Sequence, residues 1–406
     1  MSATPLQTLP IDQLRRRSST KWRRYPADVI PMFVAETDFV PAPAITAVLA
    51  RAVELGDTGY TPPDPGLATA YAGFAQRRFG WSVDPARIRT TCDVMVGVVE
   101  ILRRVTSPGD RVVITPPVYP PFFDCIPEAG AVVERVPLVD TGASWELDLR
   151  GIEAAFQAGA RAILLCHPHN PTGTVHARET LAELADLAER YAAVVVSDEI
   201  HAPLTIPTAP PRSVGASRAA DDRVGPAGAT FTPFLDASPA AARVGYTVAS
   251  ASKAFNLAGL KCALMVTADD ATTAVVRALP NEIEWRTGLF GALAAVAAFS
   301  PESDSWLDAQ LAALDDNRRL LAELLAEHVP GARYRIPDAG FLAWVDLSDL
   351  GWGDNPAVKV LRDAKVALHL GPLFGDEGKG HVRINFGCSP ELLREGVDRV
   401  GSLVTS

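Results

Sequence analysis

Ser250-Ala251-Ser252-Lys253-Ala254-Phe255-Asn256-Leu257-Ala258-Gly259-Leu260 places a lysine shortly after the apolar run Val244 to Ala249. That run reads as a strand, and a turn with a helix start follows the lysine. Two hydroxyl residues, Ser250 and Ser252, precede it. A lysine at the end of a buried strand is costly to keep charged, so its pKa falls and its amine becomes nucleophilic. Such an amine can form a Schiff base with an aldehyde cofactor. A lysine on a loop is otherwise a solvated charge, so the surrounding stretches decide between the two readings.

Three of them bear on it. Leu164-Leu165-Cys166-His167-Pro168-His169-Asn170-Pro171-Thr172-Gly173 is an apolar strand running into a Pro/Asn/Gly turn. Val194-Val195-Val196-Ser197-Asp198-Glu199-Ile200-His201 is a buried strand that ends in acids. Val382-Arg383-Ile384-Asn385-Phe386-Gly387 sets an arginine inside an apolar run. With the lysine stretch, these ordered motifs resemble the fold-type I pyridoxal phosphate (PLP) enzymes of the class I/II aminotransferase superfamily. Asp198-Glu199-Ile200-His201 and Ser252 to Leu260 most resemble its cystathionine β-lyase, or cysteine-S-conjugate C–S lyase, subgroup. The resemblance runs from about Lys21 to Leu403.

The 406 residues are long for one core and suggest two domains or one large α/β domain. Hydrophobic content of 48% and charged content of 21% place the chain among soluble globular proteins. A net charge of −10 argues against a nucleic-acid surface. The five cysteines, Cys92, Cys125, Cys166, Cys262 and Cys388, are scattered without zinc-like spacing, so no metal is expected. Free thiols fit a reducing cytoplasm. Arg15-Arg16-Arg17 could mimic a twin-arginine signal, but Ser, Thr, Lys and Trp follow where an apolar segment should stand. No apolar run reaches membrane-spanning length.

Residues 1–30 are polar and read as an arm, with a short helix near Ile11 to Arg17. Pro43 to Leu55, Leu67 to Phe79 and Val94 to Val105 read as helices, the last capped by Asp93. Strands and helices then alternate: Arg111 to Thr115, Ala131 to Val136, Leu149 to Gln157 (helix), Ala162 to Cys166, Ala177 to Tyr191 (helix) and Ala193 to Ser197. Continuous apolar strands alternating with helices predict a mostly parallel central sheet with helices on both faces. Ligands gather at the carboxyl ends of such strands, where Asn170, Asp198 and Lys253 fall. Pro207 to Pro239 is irregular and longer than the resemblance leads one to expect. Thr272 to Leu279, Leu289 to Phe299 and the long Trp306 to His328 read as helices, and Phe341 to Asp346 and Val382 to Phe386 as strands. Gly375 to Gly380 reads as a mobile loop. The division expected is an N-terminal arm with part of the small domain (1–45), a large PLP-binding domain (46–280) and a small α+β C-terminal domain with a bridging helix (281–406).

If PLP is the cofactor, the protein must hold it, keep its ring nitrogen protonated and move protons. Asp198 suits the ring nitrogen, and Asn170 the phenolic oxygen; otherwise Asp198 caps a helix and Asn170 shapes a turn. The amides of Val94 and Met95, at a predicted helix N-terminus, suit the phosphate, with Ser250 and Ser252 adding hydroxyls. Arg383 offers a planar fork to a substrate carboxylate.

The resemblance implies further roles. Tyr119 would stack on the cofactor ring and Lys261 would meet the phosphate. Ala35 lies in the Ile30 to Phe39 segment, which would run near the substrate. Tyr60 would reach the phosphate from a neighbouring subunit, making a homodimer with composite sites. His201 stands where many aminotransferases carry tyrosine and the C–S lyase subgroup carries histidine. Asp93 departs from the expected glycine or small hydroxyl, and a carboxylate there would repel a phosphate unless turned away.

Two activities follow from the resemblance: β-elimination from L-cystathionine or a related cysteine S-conjugate, giving thiol, pyruvate and ammonia, and amino transfer to a 2-oxo acid. Both use the same lysine as general base. A regulatory protein that keeps the fold to bind partners is a third reading, disfavoured by the lack of basic character.

Overall fold

The structure is a computed structural model and describes residues 6–63, 65–206 and 230–404. Seven strands build the central sheet: β1 (Ile88–Thr91), β2 (Arg111–Ile114), β3 (Val132–Arg135), β4 (Ala162–Cys166), β5 (Val194–Asp198), β6 (Gly245–Ala249) and β7 (Ala263–Val266). Their spatial order is β1-β7-β6-β5-β4-β2-β3. The β3–β2, β2–β4, β4–β5 and β5–β6 pairs are parallel. β7 pairs antiparallel with both β6 and β1, so it alone runs against the rest.

Apolar side chains on both sides of each central strand need cover on both faces. Alternate residues of β4 enter different cores. Ala162, Leu164 and Cys166 pack with residues of α1 (Val94–Val105) and α2 (Pro121–Glu128). Ile163 and Leu165 pack with α3 (Leu149–Gln157) and α4 (Arg178–Arg190). Register aligns Cys166 with Asp198, and Asp198 with Val248, so β4, β5 and β6 end at one level. α1 starts close to that edge. Asp93 caps it, its carboxylate accepting from the Met95 amide at 3.0 Å. Gly97 lets the helix lie close on the sheet, since a Cβ there would come within 3.3 Å of Met265, Thr91 and Val248.

A second sheet, ordered β8-β9-β11-β10, is wholly antiparallel: β8 (Arg333–Tyr334), β9 (Leu342–Asp346), β10 (His369–Leu370) and β11 (His381–Asn385). The 25-residue α5 (Asp304–His328) precedes it and α6 (Pro390–Gly401) follows it. Ile30–Pro31 pairs in parallel with Val366–Ala367, which ties the N-terminal segment to this layer.

Four helices, Pro43–Leu55, Leu67–Phe79, Val94–Val105 and Leu149–Gln157, have the bounds expected from sequence. Other expectations need correction. Val244 closes the helix Pro239–Val244 rather than opening β6. The break is sharp because a Cβ on Gly245 would meet the Ala241 carbonyl at 2.5 Å. Of the irregular stretch 207–239, residues 207–229 lie outside the described residues, while Phe234–Ala237 is helical. The N-terminal helix spans only Ile11–Leu14. Gly375 to Gly380 contains a 3-10 turn, Asp376–Gly378, rather than a plain loop. Arg135 at the end of β3 holds it, pairing with Asp376 at 3.0 Å and Glu377 at 3.1 Å. Among the described residues, no helix is long and apolar enough to cross a membrane.

Candidate active site

The carboxyl ends of β4, β5 and β6 open into a cavity of about 450 Å³. Every candidate named from the sequence lines it except Tyr60, which is 99% exposed. The second sheet contributes Arg383 and His369, and the N-terminal segment contributes Phe33 to Ala35.

Lys253 stands four residues beyond β6. Its Nζ donates to the Ala35 carbonyl at 3.4 Å. Burial, and secondly the positive Arg383, lower its pKa to about 8, against the weaker pull of Glu36 and Asp198. The loop carrying it also organises its surroundings. Asn256, in the left-handed region at φ 56°, accepts from the Thr37 amide at 3.2 Å and donates to the Thr37 carbonyl at 3.1 Å. Asparagine tolerates that conformation better than most side chains. From the second sheet, Asn385 Nδ2 donates to the carbonyls of Val34 and Glu36, each at 2.6 Å. A buried Lys21–Asp38 pair at 2.8 Å completes the anchorage. The segment bearing Ala35 is thus tied both to the Lys253 loop, through Asn256, and to the second sheet, through Asn385.

Asp198 is the last residue of β5 and is buried. Burial raises its pKa to about 7, while the Ile200 amide, 3.1 Å from Oδ1, and Lys253 pull it down. A cationic ring nitrogen against it would favour the ionised form further.

Arg383 is only 3% exposed. Its Nη1 donates to Asn170 Oδ1 at 3.0 Å and its Nη2 to the Phe33 carbonyl at 3.2 Å, and its guanidinium lies 5.0 Å from the Phe374 ring centre. Nε is buried without a partner. No carboxylate pairs with this guanidinium among the described residues, and burial lowers its pKa to about 10. A buried cation with only neutral acceptors calls for an anion.

Tyr119 packs edge-on to Phe122 at 5.9 Å. Burial, with Asp198 next, raises its hydroxyl pKa to about 12, so it stays protonated. His201 is buried with Nδ1 unpartnered, and burial lowers its pKa to about 3, so it is a neutral imidazole.

The opposite end holds the groups expected at a phosphate: the amides of Val94 and Met95, Ser250, Ser252 and Lys261. There Lys261 Nζ contacts Asp93 Oδ2 at 2.8 Å. The Ser250 hydroxyl donates to the Cys262 carbonyl at 2.7 Å and accepts from the Ser252 amide at 3.1 Å. Tyr60 is not brought to this cavity by its own chain. Thr61 Oγ1 donates to the Thr287 carbonyl at 2.7 Å, which sets the Tyr60 loop beside the helix Glu282–Trp285 and its 71% exposed Trp285.

Sequence reasoning missed His369, which lines the cavity in register with Arg383. A lone histidine between leucines carries no local signal. It also missed the clamping by Asn256 and Asn385, although both stand inside the recognised motifs.

The family model described as aminotransferase class I and II matches residues 34–400. A protein of Mycobacterium leprae named "Putative cystathionine beta-lyase" is 40% identical, covering 99% of this chain and 98% of its own. The cystathionine β-lyase of Corynebacterium glutamicum is 33% identical, covering 97% of this chain and 99% of its own. A solved structure from Corynebacterium diphtheriae, described with the same qualifier as a PLP-dependent β-cystathionase, superposes with a TM-score of 0.89 at 34% identity, covering 99% of both chains. The chain belongs to the aminotransferase class I and II family, within its cystathionine β-lyase-like group.

Proposed function

We propose that the chain is a PLP-dependent carbon–sulfur β-lyase that converts L-cystathionine or a related cysteine S-conjugate, with water, to a thiol, pyruvate and ammonia. The observation that carries this is the meeting of three groups in one cavity: the Lys253 amine, the buried Asp198 carboxylate and a buried Arg383 with no acid partner among the described residues. These residue types fit PLP at one end and an amino-acid carboxylate at the other.

When bound, PLP supplies the electron sink that lets a Cα–H bond break and a β-substituent leave. Lys253 would hold the cofactor, and its amine would serve as general base on the substrate α-proton. The Ala35 carbonyl steadies its Nζ. Asp198 stabilises a protonated ring nitrogen. Arg383 would hold the α-carboxylate through its fork, while Asn170, bonded to the same guanidinium, would offer its amide nitrogen to the phenolic oxygen. Tyr119 would cover the ring, and His201, a neutral imidazole lining the same cavity, would add no charge there. Val94, Met95, Ser250, Ser252 and Lys261 serve the phosphate.

The test is incubation with cystathionine in the presence and absence of a 2-oxo acid. Release of thiol and pyruvate without the 2-oxo acid is the outcome expected. Turnover that requires the 2-oxo acid would make the protein an aminotransferase.

We also propose that the working form is a homodimer in which Tyr60 serves the partner's phosphate. The near-complete exposure of Tyr60, with Trp285, Val53 and Leu55 exposed as well, supports this. Mixing two inactive variants, Tyr60→Ala and Lys253→Ala, under subunit exchange should restore part of the activity. Hybrid dimers without recovery would remove Tyr60 from the partner's site.

A further inference from the structure

A phosphate needs hydrogen-bond donors, and at this cavity's phosphate end most of them are already engaged by the chain itself. Asp93 Oδ1 accepts from the Met95 amide at 3.0 Å, and its Oδ2 from Lys261 Nζ at 2.8 Å. The Ser250 hydroxyl points its proton at the Cys262 carbonyl, 2.7 Å away. The Val94 amide and the Ser252 hydroxyl are left without an acceptor among the described residues. One carboxylate therefore bridges the helix N-terminus and the lysine, the two features that attract an anion there.

We propose that Asp93 is an internal rival of the cofactor phosphate, and that displacing its carboxylate from Met95 and Lys261 limits how tightly PLP is retained. The proposal rests on the PLP reading above. A phosphate that takes the Lys261 ammonium must either turn Asp93 away or sit within a few ångströms of a like charge, and both weaken binding. The grip of Asp93 is suited to exchange. The Lys261 side chain is 61% exposed and that of Asp93 32% exposed, so the pair is well screened and weak. Lys261 also caps the 3-10 turn Ala258–Leu260 in the left-handed region, φ 56°, and it lines the cavity beside Asp93 and Val94.

Two plainer roles for Asp93 predict different behaviour. As a helix cap alone, it would be replaced without loss by asparagine, which caps as well. As a support that aims Lys261 at the phosphate, its loss would weaken PLP binding. As a rival, its loss strengthens it.

The experiment titrates the full-length protein, stripped of cofactor, with PLP and separately with pyridoxal, which lacks the phosphate. Tryptophan fluorescence gives the dissociation constants, and a visible band abolished by borohydride reports attachment. For Asp93→Asn we expect PLP to bind about tenfold tighter or more, with pyridoxal affinity unchanged. The inhibition constant of inorganic phosphate, corrected for the PLP affinity of each protein, should fall in proportion in the variant. Asp93→Ser, which also keeps a cap, should behave alike and guards against a folding defect in one variant. Unchanged or weaker PLP binding in both variants overturns the proposal while leaving the PLP reading intact. A wild-type protein that yields no such band with PLP overturns both.

Discussion

The two ends of the cavity treat their cations in opposite ways. At the end facing the second sheet, Arg383 is 3% exposed and meets only neutral oxygens, from Asn170 and Phe33. At the other end, Lys261 is largely exposed and has an acid of its own, Asp93, at 2.8 Å. The buried guanidinium has lost its water without gaining a counter-charge, so it keeps a strong demand for an anion. The exposed lysine is already neutralised by a pair worth no more than about 1 kcal/mol. On the proposed reading, one end would select its ligand by an unmet charge, and the other would hold its ligand by outcompeting a weak internal one.

Lys253→Ala leaves both ends in place and removes only the reacting amine. Pyruvate release should fall by several orders of magnitude, since attachment and general base vanish together. Near-normal turnover would mean that neither end serves this chemistry. Arg383→Ala breaks the unpaired end. Losing a fork of charged hydrogen bonds should lower kcat/KM by about a thousandfold, with Arg383→Lys recovering only part of it. A loss of a few-fold, measured with cystathionine, would mean that the substrate carboxylate binds elsewhere.

Between the ends, Asp198→Asn should keep the fold and lower kcat roughly a hundredfold, because a neutral amide cannot stabilise a cationic ring nitrogen. Circular dichroism and kcat together check this; an unchanged rate would make Asp198 a structural strand end. The smallest effect concerns the paired end. Tyr60→Phe should cost PLP retention about 1.5–3 kcal/mol, one hydrogen bond to a charged group, read from cofactor loss on dialysis. If PLP stays as firmly bound as in the parent, Tyr60 does not reach a phosphate.

The sequence by itself determined the pieces. Helix bounds such as Pro43–Leu55 and Val94–Val105, and strands such as Ala162–Cys166, were legible because periodicity and end signals act within a few residues. The ordered motifs also named nearly all the cavity's lining groups, since Lys253, Asp198 and Asn170 each follow a strand that reads clearly on its own. Tertiary structure alone decided how those groups are paired. Asp93 and Lys261 are 168 residues apart, Asn170 and Arg383 213, Ala35 and Lys253 218, and Thr37 and Asn256 219. The reversed direction of β7 and the place of His369 opposite Arg383 belong to the same class. Such meetings depend on strand order and register, which arise when the whole core packs at once. No local pattern encodes which distant side chain will stand beside a charge, so the residue types could be read from the chain while their partners could not.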